Sequence, residues 1–440
     1  MVSSARTRLT SILYLLISGV FVLSGCVTDD DAVESASSEP SEASSPPGLS
    51  ADLPRLEDTD HRDPSYPRLL DDPEYAGPIG AIPATNPPRP RTDPEIEALL
   101  DSLTLRQRIG QRFIAPVPGD RVAAGAGSAI LAVAPAGFIL YPWNFTTADD
   151  VRRLTASLQF VASRATPGIS LLLSSDQEGG RVATFRFPEF VRFPSAAAVG
   201  RFNDESLVRS AAYITARQLR DLGVNMNLAP VLDLYGVADD SIIGDRSFGP
   251  DPRVVSRFVR PYLEAAEAAG VIATAKHFPG HGVTTVDSHN ALPTVDLPRE
   301  QLVARELVPF REAIDAGVPA IMTGHLLFRR IDPFYPVTLS RVFLHDLLRD
   351  ELGFEGVVVT DGLEMRALRD HYSLPETLVR LFKFDVDLIL LYQEYDVVEM
   401  VTLVEELIEA GELTEDDVNR GVRRVLAMKR RFGLIDREVL

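Results

Sequence analysis

From Pro94 onward, short apolar runs alternate with longer stretches whose apolar residues recur at helical spacing. Residues 94–109, PEIEALLDSLTLRQRI, open the pattern with helical spacing. Eight runs read as strands: 109–116 (IGQRFIAP), 136–141 (AGFILY), 169–176 (ISLLLSSD), 224–231 (VNMNLAPV), 271–278 (VIATAKHF), 319–326 (PAIMTGHL), 356–361 (GVVVTD) and 386–392 (VDLILLY). Stretches such as DVRRLTASLQFVASRA and ESLVRSAAYITARQLRDLG lie between them and read as helices. The strand runs are almost continuously apolar, as expected where both faces of a parallel sheet are covered. Eight such units across residues 94–440 predict an α/β fold, a (β/α)8 barrel in a single catalytic domain. A doubly wound open sheet is the rival that periodicity alone leaves standing. The polar residues bear on the choice. Asp176, Lys276, His277, His325 and Asp361 each stand at or just past the C-terminal end of a predicted strand, the end at which a barrel carries its chemistry.

The N-terminal part follows another pattern. Arg6 and Arg8 precede an apolar run, Ile12 to Leu23, that ends in Leu-Ser-Gly-Cys, which reads as a secretory signal. Cys26 is the only cysteine, so no intrachain disulfide can form. Its place after Leu23-Ser24-Gly25 resembles the bacterial lipobox. That resemblance implies that residues 1–26 are a lipoprotein signal and that Cys26 is lipidated, which would hold the protein on the bacterial cell envelope facing away from the cytoplasm. A plain transmembrane anchor is the alternative, but the apolar run is shorter than the roughly 20 residues that span a bilayer. Val27 lacks the aspartate that commonly retains such proteins on the inner membrane, which favours an outer membrane. Residues 27–93 begin VTDDDAVESASSEPSEASSPPG and read as an acidic Ser/Pro-rich tether with too little apolar surface to offset its ordering entropy.

Charge refines this picture. The chain carries a formal net charge of −19, with 63 acidic against 44 basic side chains, which argues against nucleic acid as a partner. Residues 27–93 hold fifteen acidic and five basic side chains, so about half of the negative charge belongs to the tether and says little about a substrate.

Four stretches carry candidate chemistry. KHFPGHGVTTVDSHN, 276–290, holds three of the seven histidines. Pro279, Gly280 and Gly282 break any helix there, and His277, His281 and His289 match no metal-ligand spacing. The readings left are a structural histidine-bearing loop and proton transfer, in which Asp287 orients the imidazole of His289. In GVVVTDGLEM, 356–365, a buried strand delivers Asp361 to its mouth, either as a nucleophile or as the cap of a following helix. In SSDQEGGRVATF, 174–185, Asp176 ends a strand and Gly179-Gly180 allows a tight turn; a carboxylate there can accept from sugar hydroxyls. In IIGDRSFGPDP, 242–252, Asp245 is expected to orient Arg246, which could donate to a ligand oxygen or brace the loop.

These stretches in this order, together with LTLRQRIGQRFI, NLAPVLDL, MTGHL and TLS at 338–340, resemble glycoside hydrolase family 3, in its single-domain β-N-acetylhexosaminidase branch, from Pro94 to Asp436. The resemblance implies a retaining exo-β-N-acetylglucosaminidase acting on peptidoglycan fragments or chitin-like oligosaccharides. It implies Asp361 as nucleophile and His289, oriented by Asp287, as general acid/base, in place of the second carboxylate most retaining glycosidases use. Asp176, Arg246, Lys276 and His277 would hold the sugar. No metal or other cofactor is implied, and the single-domain length suggests a monomer. Three departures stand out. Thr184 occupies a position where the family often has arginine, with Arg186 two residues on. Gly362 replaces a common aspartate, with little effect expected. FKFDVDLILL replaces a small-residue form, which implies a reshaped far side of the pocket. A β-glucosidase of the same family and a catalytically silent glycan-binding lipoprotein are the other readings.

Overall fold

The computed structural model describes residues 93–436, apart from 120–123, 235–241, Thr285 and His289. The signal, Cys26 and nearly all of the tether therefore lie outside the described residues, as does His289. Among the described residues no helix is long and apolar enough to cross a membrane.

Eight parallel strands form the centre: β1 Phe113–Pro116, β2 Gly137–Ile139, β3 Leu172–Ser175, β4 Met226–Asn227, β5 Ile272–Phe278, β6 Ala320–Thr323, β7 Val357–Thr360 and β8 Ile389–Leu390. Each pairs with its neighbours in sequence, and β8 pairs with β1 in the register Phe113↔Ile389. A bridge between Val359 and Leu388 closes the ring. This is the expected (β/α)8 barrel, and the open sheet is excluded.

The strands are shorter than their apolar runs. Residues 109–112 are not strand: the helix Leu105–Gly110, held by a capping box between Thr104 and Gln107, ends there, and Gln111 and Arg112 form a turn. In the fourth run only Met226–Asn227 pairs as strand, and in the eighth only Ile389–Leu390.

In chain order the main helices are α1 Pro94–Ser102, α2 Leu105–Gly110, α3 Ala124–Val133, α4 Ala148–Ala165, α5 Glu205–Asp221, α6 Pro252–Ala268, α7 Val308–Asp315, α8 Leu374–Lys383, α9 Val397–Glu409 and α10 Glu415–Arg431, with a π-helical segment Val342–Glu351 after β6. The reasons are local. Thr147 caps α4 in a box with Asp150, and Val151, Leu154, Leu158 and Ala162 make its buried stripe. In α10, acids fill the first turn and Lys429, Arg430 and Arg431 the last, which complements the helix dipole.

Alternation along each strand sends one set of side chains into the barrel and the other under the helices. Ile114, Ile139, Leu172, Ile272, Val357 and Leu390 belong to the inner cluster, whereas Phe113, Phe138, Leu173 and Val358 pack outward. The same parity turns the functional side chains inward, and their position at or past the strand ends puts them at the mouth. Asp361 follows Val357 and Val359, Lys276 follows Ile272, and Asp176 follows Leu172, each by an even number of residues. All three therefore face the mouth of the barrel.

The FKFDVDLILL segment spans the barrel from end to end. Asp385 and Asp387 lie at the opposite, N-terminal end of the barrel. Asp387 binds Arg349 at 2.6 Å and Arg424 at 2.9 Å, and accepts from the Val358 amide at 2.8 Å. These two residues build the floor of the barrel, while the far end of the segment runs to the mouth, where Leu390 O accepts from Leu363 N at 3.1 Å.

Candidate active site

Lys276 is the hub of the mouth. Its Nζ lies 2.6 Å from Asp176 Oδ1 and 2.7 Å from Glu178 Oε1. Burial disfavours its charge, but the two carboxylates outweigh this and raise its pKa. Glu178 is buried beneath it and takes a bidentate pair from Arg246, at 2.9 and 2.8 Å. Burial alone would raise the Glu178 carboxyl; Lys276 and Arg246 instead hold it down at about 2. Asp176 stays partly open to solvent, its side chain 32% exposed, so one oxygen face is left for a ligand.

Arg246 is thus oriented by Glu178, and the expectation for Asp245 is not met: Asp245 pairs with Arg181 on the surface at 3.1 Å. Glu178 was hidden in the sequence because it belongs to a hairpin, Gln177–Gly179 with Val182–Ala183, that folds back over the barrel end. Thr184 locks that hairpin: its amide and hydroxyl both donate to Asp176 O, at 2.9 and 2.8 Å. Arg186 is exposed and donates to backbone carbonyls of Ala183 and Arg181, so it brings no cation to the mouth.

The histidine-bearing stretch divides. Asp233, fully buried after β4, accepts from His277 N at 3.0 Å and His281 N at 2.7 Å, and its Oδ2 lies 2.6 Å from His277 Nδ1. That contact leaves His277 Nε2 directed at Arg246 Nη2, 3.4 Å away. His281 is buried, with Nε2 3.4 Å from Ser288 Oγ, and burial followed by the neighbouring His277 pushes its pKa down to about 4. His281 is thus a buried member of the wall, whereas His277 turns its Nε2 to the mouth beside Arg246. Asp233 is a second residue that sequence reasoning missed, although its place just past the fourth apolar run was the available signal. The loop itself reaches across the mouth: Ser288 O accepts from Ala367 N, beyond β7, at 3.3 Å. Asp287 accepts through its carbonyl from Asn290 N and Ala291 N, at 2.9 and 3.1 Å.

Asp361 does not cap a helix. The next helical segment begins at Arg366, and the Asp361 carboxylate accepts from Gly362 N at 2.8 Å through Oδ1, leaving Oδ2 for a reacting atom. Burial would raise this carboxyl, but His277, His325, the Gly362 amide and Lys276 bring it down to about 2, so it is ionised at neutral pH. His325 is fixed between Thr338 Oγ1, 2.8 Å, and Gly362 O, 2.9 Å. Gly362 lies close to a further carboxyl. A Cβ there would lie 3.1 Å from Glu364 Oε1, so the glycine makes room for another carboxyl beside Asp361.

Among the described residues, the one group of His and acidic side chains close enough to share a metal ion is His345, Asp346 and Asp350, away from the mouth. His277 and His281 do not form such a group.

An ionised carboxylate at one side of a barrel mouth, facing a cationic and acidic network suited to hydroxyl groups, defines a glycosidase-type site. The glycosyl hydrolase family 3 N-terminal domain matches residues 104–428, and the chain belongs to that family. Its relatives agree. It is 32% identical over 358 residues to Beta-hexosaminidase LpqI of Mycobacterium tuberculosis, covering 80% of this chain and 89% of LpqI. It is 31% identical over 320 residues to Beta-hexosaminidase A of Pseudoalteromonas piscicida, covering 67% of this chain and only 53% of that protein. A glycoside hydrolase family 3 beta-N-acetylglucosaminidase from Paenibacillus sp. str. FPU-7 superposes with a TM-score of 0.72 at 39% identity, over 76% of this chain and 63% of that one. The chain thus spans about half to two thirds of the length of two of these three.

Proposed function

We propose that this glycosyl hydrolase family 3 chain is a retaining exo-β-N-acetylglucosaminidase that removes terminal N-acetylglucosamine from peptidoglycan fragments or chitin-like oligosaccharides. The observation that carries the reading is Asp361, held ionised at the barrel mouth with no hydrogen bond to its Oδ2 among the described residues, opposite the Asp176–Lys276–Glu178–Arg246 network. The names of the relatives support the choice of sugar.

In this reading Asp176, Lys276, Arg246 and His277 hold the hydroxyl end of the sugar. Asp361 Oδ2 attacks the anomeric carbon while the bond to the leaving oxygen breaks. His289, oriented by Asp287, gives that oxygen its proton. The positive charge that develops on the ring is stabilised by the Asp361 carboxylate before the new bond is complete. Water then attacks the same carbon, His289 takes its proton, and the Asp361 ester bond breaks. Two inversions give net retention, and the steps need only side chains and water. The chain acts as a monomer, anchored through lipidated Cys26 and the tether of residues 27–93 to the bacterial cell envelope outside the cytoplasm. The Leu-Ser-Gly-Cys sequence at 23–26 supports that placement.

The test compares a chromogenic β-N-acetylglucosaminide with the matching β-glucoside on the purified full chain. Preference for the N-acetyl sugar, lost about a thousandfold or more in Asp361→Ala, is the expected result. Preference for the glucoside, or an unimpaired variant, overturns it.

A further inference from the structure

Three aromatic rings occupy the arc of the mouth that the charged network leaves empty. Tyr141 follows β2 and Tyr392 follows β8, each two residues beyond an inward-facing strand residue, Ile139 and Leu390. Tyr141 and Trp143 stack with ring centroids 4.3 Å apart and planes 13° apart. Tyr392 stands edge-on to both, at 5.2 and 5.9 Å.

The group is held rigidly. Asn144, fully buried, accepts from Tyr141 N at 2.8 Å and donates to Val117 O, just past β1, at 2.8 Å. Glu364 Oε2 accepts from Tyr392 N at 3.0 Å, while its other oxygen fills the space beside Gly362. The loop that carries Asp361 is therefore tied to the aromatic group. Trp143 nonetheless remains 43% exposed. A large ring fixed in place and left in water is a surface prepared for a ligand.

We propose that Tyr141, Trp143 and Tyr392 form a stacking platform for the second pyranose ring of the substrate, the first sugar of the leaving group. The proposal rests on the reaction assigned above and names the aglycone that the site selects. In a β-linked pyranose the substituents at C1 and C4 are both equatorial, so the leaving group continues the line from C4 through C1. Asp176, Arg246, Lys276 and His277, on loops and strands from β3 to β5, hold the hydroxyl end. Asp361 on β7 meets C1. The line from β4 and β5 across the mouth ends at β8, β1 and β2, where the three rings stand. A pyranose has a face of C–H bonds, which packs on an aromatic plane, and a ring system already immobilised loses little entropy on binding.

The experiment uses the full chain and two substrates with the same glycosyl group. One is the β-1,4-linked disaccharide of N-acetylglucosamine. The other is N-acetylglucosaminyl fluoride, whose leaving group is too small to reach the platform. Trp143→Ala is expected to lower kcat/KM on the disaccharide about tenfold, with the fluoride changed by no more than about twofold and Trp143→Phe restoring most of the loss. Equal losses on both substrates, or no loss on the disaccharide, overturn the proposal. Trp143 is the only tryptophan in the chain, so its fluorescence gives a second reading. In Asp361→Asn the disaccharide should shift that emission and the monosaccharide should not; an unchanged emission also overturns the platform. Failure of the unaltered protein to hydrolyse either substrate counts against the reaction itself, and the fluorescence titration still decides the platform.

Discussion

Asp233 shows how one buried carboxylate organises one side of the mouth. It satisfies two backbone amides and one imidazole nitrogen, so it fixes both the path of residues 277–281 and the direction of the His277 ring. Asn has one acceptor oxygen and one NH2 group, so Asp233→Asn leaves a buried donor facing a donor. The expected cost is about 3 kcal/mol in denaturant unfolding, with at least a tenfold fall in kcat/KM on the disaccharide. An unchanged KM and midpoint would show that His277 is held by something else. Glu364 makes a prediction in pH. Burial, helped by the charges of Glu394 and Asp361 and only partly offset by two backbone amides, leaves its folded pKa raised from 4.5 to about 7. A carboxyl raised in the folded state keeps its proton longer there than in the unfolded chain, so stability falls as pH climbs from about 4.5 to about 7 and is level above. Glu364→Gln should remove that slope, narrowing the stability difference between pH 5 and pH 8 by up to about 3 kcal/mol. Glu306, also raised to about 7 by burial, keeps part of the slope in both proteins. His281, lowered to about 4, works in the opposite sense between about 4 and 6.5, since the unfolded chain takes up its proton first. Thermal unfolding at the two pH values checks the sign.

At the scale of elements, the loop after β5 depends on close backbone approach. A Cβ on Gly282 would fall 1.6 Å from Leu234 O, in the loop after β4. Gly282→Ala must push the β4 and β5 loops apart. The expected result is a loss of stability of about 2 kcal/mol or more and a fall in kcat larger than the rise in KM, because the displaced segment carries Asp287 and His289. Steady-state kinetics on the N-acetylglucosaminide checks the split. The elements also show what the sequence could reveal. The ends of the apolar runs put Asp176, Lys276 and Asp361 on one end of one barrel, because where a buried strand stops is written locally in the sequence. The partner of Arg246 was not legible: Asp245 is adjacent in the chain, but Glu178, 68 residues away, is adjacent in space. Nor was the place of Asp385 and Asp387, since acidic residues at the start of an apolar run look alike whether they floor a barrel or line a pocket.

The whole molecule separates its two ends by task. The C-terminal end of the strands gathers Asp176, Lys276, His277 and Asp361. The N-terminal end gathers an ionic floor: Arg112 donates to Asp387 O at 2.8 Å and to Asp417 O at 2.9 Å, while Arg349 and Arg424 grip the Asp387 carboxylate. Asp387 thereby joins β8 to β7, to the π-helical segment before β7, and to α10, closing the barrel where its first and last elements meet. Gly421 of α10 leaves the space for Arg112, since a Cβ there would lie 2.5 Å from the guanidinium. Loss of one partner from a buried ion network leaves the remaining charges uncompensated, at roughly 3–5 kcal/mol. Asp387→Asn should therefore lower Tm by at least about 5 °C in a chain of this size. Its kcat and KM on the N-acetylglucosaminide, measured well below the new Tm, should stay within about twofold, because the floor touches no group at the mouth. A variant that kept its Tm would deny the floor its structural task. One that lost kcat while still folded would show that the inner layers of Ile, Val, Leu and Met side chains transmit strain from one end of the barrel to the other.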